Sequence, residues 1–65
     1  MVMTRLELLT ERRMSFINEL IELNIFLDQK DLTEVQRTSL QTRLDEVTQI
    51  LDGLDVKINK LKEEA

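Results

Sequence analysis

Basic side chains give this sequence its clearest potential for recognition chemistry. Arginine and lysine can neutralise phosphates or carboxylates, and an exposed aromatic side chain can stack on a nucleic-acid base. One edge of the helical arrangement described below combines these residue types, and its members are Arg5, Arg12, Phe26, Arg43, Ile50 and Lys57. We expect this edge to be the contact for a partner protein or a nucleic acid. The alternative is a solvated flank with two incidental apolar side chains.

Catalytic chemistry is disfavoured by the composition. The sequence has neither histidine nor cysteine, so the common general base, the best nucleophile and the ordinary zinc ligands are missing. Serine and threonine occur, but no histidine is available to activate them. Paired carboxylates or lysine chemistry would need a pocket that a thin helical protein seldom forms. The sequence therefore predicts a non-enzymatic protein with no cofactor and no metal site.

Two heptad seams are the elements that must position these side chains. In the second half of the chain, apolar spacings of four and three residues alternate without a gap through Leu40, Leu44, Val47, Leu51, Leu54, Ile58 and Leu61. The first half has a matching seam that includes one arginine, and it runs through Leu6, Leu9, Arg13, Phe16, Leu20, Leu23 and Leu27. Each seam forms a narrow stripe, so each helix requires another helix to pack against.

The helix boundaries follow from local signals. Thr4 with Glu7 and Thr33 with Gln36 are capping boxes, which mark helix starts, and the apolar periodicity breaks across residues 28–32. We predict one all-α helical-hairpin domain over residues 1–65, with helix 1 at about 5–28, a loop at about 29–33 and helix 2 at about 34–63. Gly53 could end helix 2 early, but the seam continues unshifted beyond it, so we expect a continuous helix.

A short loop makes the two helices antiparallel neighbours and suggests a register. Every expected layer joins two seam positions: Leu20 with Leu40, Phe16 with Leu44, Arg13 with Val47, Leu9 with Leu51, and Leu6 with Leu54. On the basic edge, Glu19 can then pair with Arg43.

A second apolar stripe beside the helix 1 seam predicts self-association. Its members Met14, Ile17 and Ile21 make the apolar face wider than one neighbouring helix requires, and a 65-residue chain has a marginal core of its own. We expect a homodimer that forms a four-helix bundle through these residues and Arg13. The Arg13 guanidinium either extends to the rim or reaches a carboxylate on a second subunit. The alternative is that Met14 and Ile21 only flank the hairpin core.

The leading functional hypothesis is a protein–protein interaction module that binds and modulates, for example inhibits, a larger partner. The chain is similar in kind to small accessory proteins of phages and mobile elements. Its length, two helices and mid-chain turn also resemble the plasmid-encoded RNA-binding hairpins of the Rop type, which implies a four-helix bundle and, as an alternative, an RNA-binding regulator. No sequence motif is shared, and the net charge of -4 disfavours nucleic acid. A structural or oligomerisation subunit of a larger assembly is the third alternative.

The amino-terminal residues argue against export. Glu7 interrupts the apolar run that a signal peptide would need, and no segment approaches membrane-spanning length. We therefore expect a cytoplasmic protein without a membrane partner, located in the host cytoplasm if a phage encodes it.

Overall fold

The computed structural model describes residues 2–64, which form a hairpin of two α-helices. Helix α1 spans Arg5–Leu27 and helix α2 spans Glu34–Glu64, and the two pack against each other along their length. The predicted all-α helical hairpin is confirmed. The molecule measures 48 × 23 × 13 Å, so it is one helix thick. Each helix therefore has one side facing its neighbour and the others facing outward.

Both helices begin at the predicted capping threonines. The Glu7 amide donates to Thr4 Oγ1 at 3.1 Å, and the Thr4 hydroxyl donates to Glu7 Oε1 at 3.1 Å. At α2 the exchange is fully reciprocal, because the Gln36 amide donates to Thr33 Oγ1 at 3.1 Å and the Thr33 amide donates to Gln36 Oε1 at 3.0 Å. These bonds satisfy amides that have no partner inside the helix and fix where each helix starts.

The core is a single row of apolar side chains between the helices. The buried side chains within residues 2–64 are Leu23, Val47, Leu51, Leu54 and Ile58. Val47 is fully buried, and half-buried neighbours pack around it and Leu23, namely Phe16, Ile17, Leu20, Leu40 and Leu44. A row of this kind is covered by two helices only, so most of its members keep one partly exposed side.

The expected register of the helices is wrong by one heptad. Arg13 Nε lies 2.6 Å from Asp55 Oδ1, and Leu23 shares a buried cluster with Val47. If Arg13 lay opposite Val47, Asp55 would be displaced by about 12 Å along the axis of α2, which these two side chains cannot span. A shift of one heptad places Leu54 opposite Arg13 and explains both contacts. Every seam position still meets a seam position, so the apolar pattern is equally satisfied.

The first turns of α2 extend past the end of α1 as a result of this shift. Leu27 now lies opposite Leu40, and residues 34–39 are all exposed. The half-buried Leu32 of the connecting segment lines a shallow depression with Phe26 and Val35. The connection therefore folds back along the start of α2 instead of crossing directly between the helix ends.

Helix α2 passes through Gly53 without a break, as the uninterrupted seam predicts. Gly53 is exposed, its φ is not positive, and a Cβ built there would meet nothing within 4 Å. No turn or close approach of another chain segment requires glycine here, so its effect is limited to the greater flexibility of its backbone.

Candidate interaction surfaces

The basic edge is divided by an ion-pair cluster at its middle. Arg43 Nη2 donates to Glu19 Oε1 at 3.0 Å, its Nε also donates to Glu19, and its Nη1 donates to Glu46 Oε2 at 3.2 Å. The hydrogen bond from Arg43 lowers the pKa of Glu19, and the hydrogen bonds to Glu19 and Glu46 raise the pKa of Arg43. The expected Glu19–Arg43 pair is present. The one-heptad shift places Arg43 about 7.5 Å along the α2 axis from the position opposite Glu19, and the long arginine side chain spans this offset. Because three of its five guanidinium N–H groups already donate to carboxylates, Arg43 is less available to an anionic ligand than an arginine without an ion-pair partner.

The open end of the hairpin, where α1 begins and α2 ends, carries the basic residues that remain. Arg5, Arg12 and Lys57 line a cleft of ≈ 440 Å³ together with Lys60. We call this the open-end cleft, and its other lining residues are Leu8, Leu9, Leu61 and Glu64. Lys60 and the leucines are not among the predicted site residues, because the expected register left the end of α2 without a neighbour. The available signal was the position of Lys60, one helical turn beyond Lys57.

The four cations of the open-end cleft have no ion-pair partner among residues 2–64. All ion pairs in that part of the chain use either Arg13 or Arg43. Each of the four cations is exposed. The open-end cleft is therefore locally positive although the chain as a whole has a net charge of -4.

The two apolar members of the basic edge do not join the open-end cleft. Phe26 lines the depression at the loop end of the hairpin, and it lies about 21 Å from Arg12 along the α1 axis. Ile50 is 37% exposed and does not line the cleft. The structure thus does not assemble one continuous surface of arginines and a stacking aromatic.

The expected self-association residues occupy one side of α1. Met14 and Ile21 are 55% and 53% exposed, whereas Ile17 is half-buried and packs against the core. Ile25, one turn beyond Ile21, is 60% exposed and extends the same side, although it is not among the predicted residues. The spacing of four residues after Ile21 was the available signal. We call Met14, Ile17, Ile21 and Ile25 the α1 stripe.

Arg13 does not need a second subunit to find a carboxylate. Its partner is Asp55 of the same chain, and the two side chains remain 40% and 47% exposed. The guanidinium therefore leaves the seam towards the rim, as one of the two expectations states, and the ion pair bridges α1 and α2. Arg13 therefore contributes to the hairpin itself, and its part in a self-association surface stays a prediction.

Comparison with protein-family models, with curated proteins and with solved structures finds no match to this chain. Within residues 2–64, neither helix has the length and apolar character needed to cross a bilayer. The same part of the chain contains no group of three acidic side chains placed to hold a metal ion.

Proposed function

We propose that this chain is a non-enzymatic interaction module that forms a homodimeric four-helix bundle through the α1 stripe. The observation that supports the proposal is the exposure of Met14, Ile21 and Ile25, each more than half accessible on one side of one helix. Contiguous apolar surface of this kind on a small protein is typical of an interface. A face of 48 × 23 Å also has room for the ~800 Å² per partner that a standard interface buries.

The polar side chains beside the α1 stripe can be buried at little cost. Thr10 Oγ1 donates to the Leu6 carbonyl at 2.8 Å, Asn24 Nδ2 donates to the Leu20 carbonyl at 3.0 Å, and Thr48 Oγ1 donates to the Leu44 carbonyl at 2.8 Å. A buried polar group is costly chiefly when it lacks a hydrogen-bond partner. The two threonine hydroxyls thus have their proton donated within their own helix, and Asn24 has one of its two N–H groups paired, which lowers the cost of covering these side chains with a second hairpin.

The test is the oligomeric state of the intact chain and of two matched variants. Light scattering or sedimentation from roughly 1 μM to 1 mM covers the affinities that an interface of this size gives. We expect a dimer for the native chain and a helical monomer for Ile21→Glu. Val56→Glu places the same charge on an exposed apolar site of α2, 62% accessible and outside the α1 stripe, and should leave the dimer intact.

Two results would overturn the dimer. One is a native chain that stays monomeric over the whole range, and the other is an equal loss of association in Ile21→Glu and Val56→Glu. Species larger than a dimer would instead favour the structural-subunit alternative, because contacts that do not close by two-fold symmetry continue to add copies.

The proposed dimer binds and modulates a larger protein partner. It inhibits that partner when it covers the partner's active site or functional binding site. Composition, and not the fold, supports this role. The same holds for a cytoplasmic location and for an accessory function in a phage or mobile element. The RNA-binding alternative is favoured by one observation, the four unpaired cations of the open-end cleft. Low-salt binding of mixed-sequence RNA that is lost in Arg5→Ala with Arg12→Ala would support it.

A further inference from the structure

The open-end cleft combines positive charge with an apolar floor, and the α1 stripe does not include it. We propose that this cleft binds an acidic amphipathic helix of a partner protein. An apolar side chain of that helix enters between the leucines, and its flanking carboxylates pair with Arg5, Arg12, Lys57 and Lys60. The inference rests on the proposed role as an interaction module and names the chemistry of the partner.

The charge of the cleft favours an anionic ligand. Four cations from both helices line the cleft against a single carboxylate, that of Glu64. The cations at the middle of the hairpin are already used, since Arg13 pairs with Asp55 and Arg43 pairs with Glu19. Unpaired cations grouped around one cleft attract carboxylates and disfavour a basic partner.

The floor of the cleft favours an apolar group as well. Leu8 is 50% exposed, and Leu9 and Leu61 are each half-buried. A side chain such as leucine placed against them would remove apolar surface from water on both molecules, which a phosphate or a free carboxylate cannot do. The combination of cations and leucines thus fits an amphipathic ligand.

The spacing of the cations fits a helical ligand. Arg5 and Arg12 are one heptad apart on α1, which separates their Cα atoms by about 10.5 Å along the helix axis. Two carboxylates one heptad apart on a neighbouring helix have the same separation and share one face. A helix lying along the cleft can therefore pair with both arginines while its apolar stripe contacts the leucines, in the manner of a third helix added to a bundle.

Nucleic acid fits the cleft less well. The floor of the cleft consists of leucines, which cannot stack on bases as an aromatic side chain does. The aromatic Phe26 lies about 21 Å from Arg12 along the α1 axis. The ion-pair cluster of Glu19, Arg43 and Glu46 interrupts the basic edge between the open end and the loop end. A polyanion following this edge would meet two carboxylates after the cleft.

A synthetic peptide of three heptads provides the probe, with leucine at positions a and d and glutamate at positions e and g. The control peptide replaces every glutamate with glutamine and keeps the apolar stripe. Binding of each labelled peptide to the full chain is measured by fluorescence anisotropy. We expect the glutamate peptide to bind at least tenfold more tightly than the glutamine peptide, and the difference to shrink as salt is added.

Two charge-matched variants test whether the cleft is the binding site. Arg5→Glu with Arg12→Glu should weaken binding of the glutamate peptide at least tenfold. Lys30→Glu with Arg37→Glu makes the same change in net charge at the loop end and should alter the affinity less than twofold. Circular dichroism of each variant confirms that the hairpin remains helical.

Three outcomes would overturn the proposal. They are equal affinity for the two peptides, equal effects of the two double variants, and tighter binding of a mixed-sequence single-stranded RNA at the same cleft. Light scattering on the same samples separates this proposal from the dimer. A monomeric chain that binds the glutamate peptide through Arg5 and Arg12 overturns only the proposed dimer. A dimer that does not bind the peptide overturns only the proposed ligand of the cleft.

Discussion

The two helices of this hairpin carry the same heptad pattern but use it differently. Helix α2 supplies all of the buried side chains of residues 2–64 except Leu23, whereas α1 has five exposed large apolar side chains against three in α2. The exposed large apolar residues of α1 are Leu8, Met14, Ile21, Ile25 and Phe26. The difference shows that α2 needs one neighbour and α1 has apolar surface for more than one. The proposed dimer interface and the open-end cleft both involve this additional surface of α1.

The largest expected effect is a cavity on the α2 side of the core. Leu54 is 5% exposed, so Leu54→Ala should lower the free energy of unfolding by about 2–5 kcal/mol. Leu8→Ala makes the same chemical change at a side chain that is 50% exposed and should cost less than about 1 kcal/mol. Urea unfolding at one fixed protein concentration measures both. Equal losses of unfolding free energy would contradict the difference in burial between Leu54 of α2 and Leu8 of α1.

Replacing the glycine of α2 with alanine should raise the free energy of unfolding instead of lowering it. Gly53→Ala should raise the free energy of unfolding by about 1 kcal/mol, because alanine has the higher helix propensity and its Cβ meets no neighbour within 4 Å. Thermal unfolding followed by circular dichroism measures the change. A loss of stability would mean that α2 needs a flexible point at residue 53, contrary to its role as the continuous seam helix.

The ion pair that bridges the helices should contribute little to stability. Asp55→Asn should cost less than about 1 kcal/mol, because both partners of the Arg13–Asp55 pair are substantially exposed. Asp52→Asn alters an exposed aspartate of the same helix that makes no ion pair with residues 2–64, and serves as the control. Chemical unfolding compares the two. A much larger cost for Asp55→Asn would assign the pair a part in holding the helices together.

The smallest effect should be a pH dependence carried by Glu19. Its pKa is lowered from the ordinary value of 4.5 by the hydrogen bond from Arg43. The pair therefore stabilises the fold fully above that ordinary value, and the contribution disappears as the pH falls through the lowered pKa. Thermal midpoints of the native chain and of Glu19→Gln should differ most above the ordinary pKa of Glu19 and converge as the pH falls below its lowered pKa. Glu22→Gln is the control, and an undiminished difference at low pH would contradict the assignment.

Local patterns were sufficient to predict the elements of this fold but not their alignment. The capping threonines, the two seams and the passage through Gly53 are each determined by residues within a few turns of one another. The register is different, because a seam repeated every heptad looks the same after a shift of one heptad. Leu9 can face Leu51 or Ile58 with equal apolar contact.

A long-range polar contact distinguishes the two registers. The observed register places Asp55 next to Arg13, whereas the expected register would place Thr48 there. The candidate site depended on this choice. The sequence placed Arg5, Arg12 and Lys57 on one edge, but in the expected register the last turns of α2 had no neighbour, so Lys60 and the leucine floor of the open-end cleft were not predicted.

The hairpin brings the two ends of its helices together at one place. Arg5 at the start of α1 and Glu64 at the end of α2 line the same cleft, at the opposite end of the molecule from the exposed Lys30 of the connecting segment. This architecture should therefore tolerate circular permutation. A short glycine-rich linker could join the helix ends while new termini are cut beside Lys30, which would reverse the order of the helices and leave their seam unchanged.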